Sequence, residues 1–129
     1  MNNPLILVSH ALVTVITCPV HDESELQPFF SPDYQQCVDG KVMNYRQFLK
    51  DIQTLKQHSR QMQLRIIACA AAQQGVFTRH QVAVTQSDGH VSEFEVMAHF
   101  ELRDGRIYRC HELTRQTAGP QHDSDLGSR

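Results

Sequence analysis

From Val76 to Thr114 apolar and polar residues alternate in three runs divided by Asp88-Gly89 and Asp104-Gly105. Asp-Gly between alternating runs signals a β-hairpin, because a tight turn matching strand twist needs positive φ and Gly supplies it at little cost. The pattern predicts a three-strand antiparallel meander. Its middle run, His90 to Arg103, would span about 40 Å at roughly 3.3 Å per residue. A flat sheet of that length would leave apolar surface uncovered, so the sheet should curve over upstream elements.

Those elements read as follows. Asn3-Pro4 is an N-cap with Pro at the first helical position, and Leu5, Val8, Leu12, Val15 and Ile16 then recur at helical spacing until Cys18-Pro19. Asp22 to Phe30 reads as a short second helix, stopped by Pro32-Asp33. Tyr34 to Val38 is a short strand, Asp39-Gly40 a turn, and Lys41 to Met43 a return strand. Asn44 with Gln47 is a capping-box pattern, followed by the stripe Tyr45, Phe48, Leu49, Ile52, Leu55 to about Ser59. Gln61 to Gln73 reads as a strand apolar on both parities, hence buried on both faces. Helices and strands are segregated, which predicts an α+β fold: three N-terminal helices packed on one strongly curved, mainly antiparallel sheet. Residues 1–117 form the single domain, and 118–129, rich in Gly, Pro, Ser and Asp, read as a mobile tail.

Composition narrows the function classes. With 129 residues, 40% apolar and 20% charged, the chain can bury one core. A net charge of −2 without a basic stripe argues against nucleic acid. Leu5 to Val20 lacks a positive flank and is short for a membrane span, so it reads as a buried helix and no membrane partner is expected. The four cysteines are far apart, which points to free thiols and a cytoplasmic protein. No phosphate loop, Ser-His-Asp order or metal-ligand spacing appears, so neither cofactor nor metal is expected.

The element order, together with Phe29-Phe30-Ser31-Pro32-Asp33-Tyr34, Val38-Asp39-Gly40-Lys41 and Phe100-Glu101-Leu102-Arg103-Asp104-Gly105-Arg106-Ile107, resembles the NTF2-like superfamily in its SnoaL-like, ketosteroid isomerase-like branch. The resemblance covers Pro4 to Thr117. It implies a cone-shaped fold, a pocket between helices and concave sheet, and often a homodimer through the sheet's outer face. It does not imply steroid isomerisation, because the carboxylate base falls near Val38, the oxyanion Asp on Ala98 and the oxyanion Tyr near Thr14.

Parity supplies other candidates. Phe94, Val96, Ala98, Phe100 and Leu102 should face inward, and Glu93, Glu95, Met97, His99 and Glu101 outward. Counting from Asp104-Gly105 places Tyr108, Cys110 and Glu112 inside, unless a one-residue bulge reverses the assignment. A carboxyl in an apolar pocket gains pKa and can act as general acid or base, which singles out Glu112. His80 shares parity with Val82 and Val84 and could pair with Glu112. Tyr34, Gln36, Tyr45, Ala98, Phe100, Tyr108 and Cys110 are candidate contacts to a small apolar molecule, with Arg79 for an anionic group. Three readings stay open: cofactor-independent acid/base chemistry of isomerase, cyclase or hydratase type, ligand binding without chemistry, and a dimeric interaction domain.

Overall fold

The computed structural model describes residues 3–123. Helix α1 spans Pro4–Thr17, and the four-residue α2 spans Glu23–Leu26. Strands β1 (Phe30–Val38) and β2 (Lys41–Asn44) form a hairpin, followed by helix α3 (Tyr45–His58). Four long strands follow: β3 (Ser59–Ala72), β4 (Gly75–Gln86), β5 (Val91–Arg103) and β6 (Arg106–Ala118). A 3-10 turn, η1, closes the described chain at Gln121–Asp123. The six strands make one sheet in the order β2-β1-β6-β5-β4-β3. All neighbours are antiparallel except β1 and β6, which run parallel. No described helix is long and apolar enough to cross a membrane.

Local chemistry explains the elements. The Asn3 carboxamide accepts from Leu5 N–H and caps α1, which buries Val8, Ala11, Leu12 and Val15. In α3 the capping box closes both ways: Gln47 N–H donates to Asn44 Oδ1, and Asn44 N–H to Gln47 Oε1, each at 2.9 Å. Phe48, Leu49 and Ile52 carry the buried stripe. At Asp39-Gly40 and Asp104-Gly105 both residues have positive φ, as two-residue hairpin turns require. At Asp88-Gly89 only Gly89 does, and its N–H donates to Gln86 O around a longer, three-residue loop.

Three expectations need correction, and bulges or long-range pairing explain each. The second helix ends at Leu26 rather than Phe30. Phe29 O instead accepts from Ile107 N–H at 2.8 Å, and Phe30 pairs with Ile107, so β1 begins there. Pro32 is tolerated because the β1–β6 register shifts between Phe30 and Gln35. Strand β3 is not buried on both faces. It is a sheet edge whose register with β4 shifts between Ile66 and Ala68, so the inward parity passes from Met62, Leu64 and Ile66 to Cys69. Two apolar parities in sequence are thus one face joined across a bulge at Ile67. The third concerns the tail. As far as Asp123 it lies against β5, with Gln116 Nε2 donating to Pro120 O at 2.8 Å and Ser92 Oγ to Asp123 at 2.6 Å. Residues 124–129 of that expected tail lie outside the described residues.

The core sits between α1, α3 and the inner face of the sheet. Phe30, Tyr34, Tyr45 and Phe48 form its aromatic centre, with ring centroids 4.8 to 6.4 Å apart. Around it lie Leu26, Val76, Val96, Phe100 and Ile107. The same wall leaves a gap.

Candidate functional site

That gap is a cavity of about 100 Å³ between the helices and β1, β4, β5 and β6. Its walls are mostly apolar: Leu12, Val15, Phe30, Phe48, Phe94 and Phe100 are representative. Its polar lining is Tyr34, Gln36, His80, Glu112 and Thr114, with no Lys or Arg. Such a cavity favours a small neutral occupant that is largely apolar.

Strand register brings the polar groups together. On β6, Glu112 pairs with Val38 of β1 on one side and Ala98 of β5 on the other. Those are two of the positions at which a steroid isomerase would carry its carboxyl groups and this chain carries none, and the Glu112 carboxyl arrives between them from the neighbouring strand. Cys110, two residues back on the same face, donates its S–H to Glu112 Oε1 at 3.6 Å. Burial pushes Glu112 up to about 7; the Cys110 contact opposes that shift and the nearby Asp39 carboxylate adds to it. Near neutrality the group therefore holds or releases a proton.

On β1, Tyr34 donates its hydroxyl to Gln36 Oε1 at 2.7 Å, and burial keeps the phenol protonated. With Oε1 thus engaged, the Gln36 –NH₂ is left to donate to an occupant. Thr114 has its N–H bonded to Asp39 Oδ1 at 2.9 Å, while its buried Oγ1 has no partner. A buried hydroxyl without a partner costs free energy unless something in the cavity satisfies it.

His80 enters from β4, 3% exposed, with Nδ1 2.9 Å from Thr78 Oγ1. Burial lowers its pKa to about 4, so it is a neutral imidazole whose Nε2 is free for an occupant. His80 and Glu112 do not touch. His80 pairs with Val96, Val96 with Thr114, and Glu112 lies two residues along β6. Their backbones are roughly 12 Å apart by strand spacing and rise. The expected direct pair is replaced by two groups on one concave face, which a molecule lying over Val96 and Ala98 would reach together.

The other expected contacts divide. Tyr34, Gln36 and Phe100 line the cavity. Tyr45, Ala98 and Cys110 stand behind the lining, Tyr45 in the aromatic cluster and Cys110 against Glu112. Arg79 lies on the outer face, its Nε 3.1 Å from Glu95, so it cannot receive an anion in the cavity. Tyr108 is also outside. The β5–β6 register shifts between Glu101 and Leu102, which turns Ile107 inward and Tyr108 outward to donate to Glu101 at 3.1 Å. The bulge affects Tyr108 and spares Cys110 and Glu112. Thr114 went unnamed from sequence although it shares Glu112's parity, and Thr78 shares that of His80.

The chain matches the SnoaL-like domain family over residues 17–110. An uncharacterized protein of Schizosaccharomyces pombe is 30% identical over 107 residues, 83% of this chain and 82% of that one. Among solved structures, IdmH, a candidate polyketide cyclase from Streptomyces antibioticus, superposes with a TM-score of 0.74 at 16% identity, covering 90% of this chain and 93% of that one. An LEH-like epoxide hydrolase of M. tuberculosis gives 0.67 at 16% identity, over 86% and 81%. At those identities the likeness is one of fold.

Proposed function

Because the chain belongs to the SnoaL-like domain family of the NTF2-like superfamily, we propose that it performs cofactor-independent proton transfer on a small, neutral, largely apolar molecule. The observation that carries this reading is the Glu112 carboxyl on the wall of a mostly apolar cavity. A group whose pKa sits near ambient pH is well matched to general acid/base work. Glu112 takes or gives the proton. The Gln36 –NH₂ and the Thr114 hydroxyl face the same space and would hold an oxygen as it gains charge. His80, neutral, orients the far end of the substrate or donates a hydrogen bond to it. The chemistry fits an enolisation, a ring closure or an epoxide opening, the last two in keeping with what the cyclase and hydrolase neighbours are described as doing.

About 150 Å³ holds a benzene, and this cavity of about 100 Å³ is open at its mouth, so a fair probe is a small cyclic ketone that fills it and reaches into the mouth. Cyclohex-3-enone, with seven non-hydrogen atoms, becomes a conjugated enone when one proton is moved. The expected result is conversion above the buffer rate that rises with pH through a single ionisation near 7 and is abolished in Glu112→Gln. Conversion unchanged in that variant would sink the assignment. Ketone binding without conversion, seen as chemical-shift changes at residues lining the cavity, would favour a ligand carrier.

The outer face supports a further element, a homodimer. Phe77, Met97 and Leu113 are exposed there, Leu113 at 68%, and Met97 pairs with Leu113 across β5 and β6. A Met97→Glu variant should sediment as a monomer where the wild-type chain sediments as a dimer. Equal masses for the two proteins would count against this surface.

A further inference from the structure

A second group of polar side chains lies outside the cavity, where η1 packs on the β4–β5 loop. His90, His122 and Asp123 each present one donor atom, and the three atoms lie within 4.8 Å of one another. We propose that these three side chains bind one divalent transition-metal cation of the zinc, cobalt or nickel kind, fastening η1 to the β4–β5 hairpin.

The spacing suits such an ion. Four ligands at about 2.0–2.1 Å in a tetrahedron stand about 3.3 Å apart. Here His90 Nε2 is 2.8 Å from Asp123 Oδ2, and His122 Nε2 is 3.4 Å from Asp123 Oδ1. The two imidazole centroids are 6.0 Å apart with planes at 71°, so the rings converge without stacking. Two imidazoles and one carboxylate are borderline ligands, unsuited to calcium or magnesium, and three protein ligands leave a position for water or another donor.

The surroundings are organised as well. Asp88 Oδ1 accepts from His90 Nδ1, which directs Nε2 towards Asp123; carboxylate–histidine–metal arrangements use that orientation. Ser92 Oγ donates to Asp123 Oδ2 at 2.6 Å, and Asp123 is 7% exposed. A carboxylate so placed within a short turn is costly to bury without a strong partner. The turn is held independently of the ligands. Gly119 has φ +108, and a Cβ there would meet Ser92 Oγ at 2.4 Å, so only Gly lets the chain come this close to β5. Sequence spacing hides the site: His90 and Asp123 are 33 positions apart, so no short motif joins them.

The test uses the full chain, stripped of metal by chelator and carrying no histidine tag. Cobalt(II) and zinc chloride are titrated separately, by visible absorption and by calorimetry. The expected result is one equivalent bound at micromolar metal, a four-coordinate cobalt spectrum, and a melting temperature raised by several degrees. His122, exposed, can be changed without disturbing the core. Binding should weaken at least tenfold in His122→Ala and in Asp123→Asn. Gly119→Ala should weaken it too while leaving every ligand in place. The pair His99 and His111 on the outer face is the obvious rival, so His99→Ala/His111→Ala should bind as the wild-type chain does. No saturable one-to-one binding at micromolar metal, binding that survives His122→Ala, or binding lost in the outer-face double variant would each overturn the proposal.

Discussion

Glu112→Gln is expected to make the protein more stable and, at the same time, inactive. Near pH 8 it should melt above the wild-type chain by up to about 10 °C, and near pH 4 the two should melt together. The sign follows from the direction of the shift. Burial raises the folded-state pKa of Glu112 from 4.5 to about 7. Below 4.5 the carboxyl is protonated in folded and unfolded chains alike and costs nothing. Between 4.5 and about 7 the unfolded chain ionises first, so stability falls as pH rises. Above that range both states are ionised and the whole penalty of burying a charge is felt. A shift of this size corresponds to at most about 3 kcal/mol, because each pKa unit is about 1.4 kcal/mol. The wall is half-buried, so that figure is a ceiling. Glutamine keeps the shape and the acceptor for Cys110 but cannot ionise, so its stability has no such slope. Loss of the proton carrier should cost the reaction roughly 10²- to 10⁴-fold. Melting curves of both proteins across the pH range decide the matter: parallel curves would mean that Glu112 is well solvated.

Phe30→Ala should be the most damaging single truncation of the core, at about 3–5 kcal/mol. Phe30 is 4% exposed and lies 4.8 Å from Tyr34, 5.4 Å from Phe48 and 6.0 Å from Tyr45. Its removal leaves those three rings facing a void continuous with the existing cavity. It also weakens the start of β1, where Phe30 pairs with Ile107. Phe77→Ala is the control. It removes a ring of the same size from the outer face, where Phe77 is 41% exposed and stacks on His99 at 4.3 Å. That change should cost less than about 1 kcal/mol. Urea denaturation of both variants gives the comparison. Equal losses would contradict a core on the concave side only.

These two faces were legible in the sequence wherever a strand ran without interruption. The parity of β5 is readable from Phe94 to Phe100, and the structure buries Phe94, Val96, Ala98 and Phe100. The Asn44–Gln47 box and the Asp-Gly pairs are local devices whose partners lie within a few residues, so they too could be read directly. Bulges broke the reading. Alternation carries no mark where one residue is left unpaired, so Tyr108 was assigned to the wrong side and the strand around Ile67 was read as buried on both faces. Pro32 looked like a stop, yet the strand simply loses register there. The cavity's polar set was partly visible, because Gln36, His80 and Glu112 share the parity of their apolar neighbours. The distance between His80 and Glu112 was not visible, since it depends on β5 lying between them. Asp123 was out of reach, because its partners His90 and Ser92 lie 33 and 31 positions away and nothing in the tail's composition points to them.

The parallel pairing of β1 with β6 has a bearing on how the molecule comes together. Every other long pairing joins strands that are neighbours in sequence, and each can form as soon as its hairpin exists. The wall that carries Gln36 and Glu112 joins segments far apart; the Thr114 to Asp39 hydrogen bond spans 75 positions. Closing so long a loop is the entropically late step of assembly, and non-local pairings of this kind slow folding. The meander can therefore exist as a preformed tray while β1 is still loose. Until β1 docks, Glu112 stands at an open sheet edge in contact with water, where a carboxylate is at ease. The same docking event completes the fold, supplies the cavity's last wall and draws the carboxyl partly out of water, so the group best suited to chemistry acquires its properties only with the final contact.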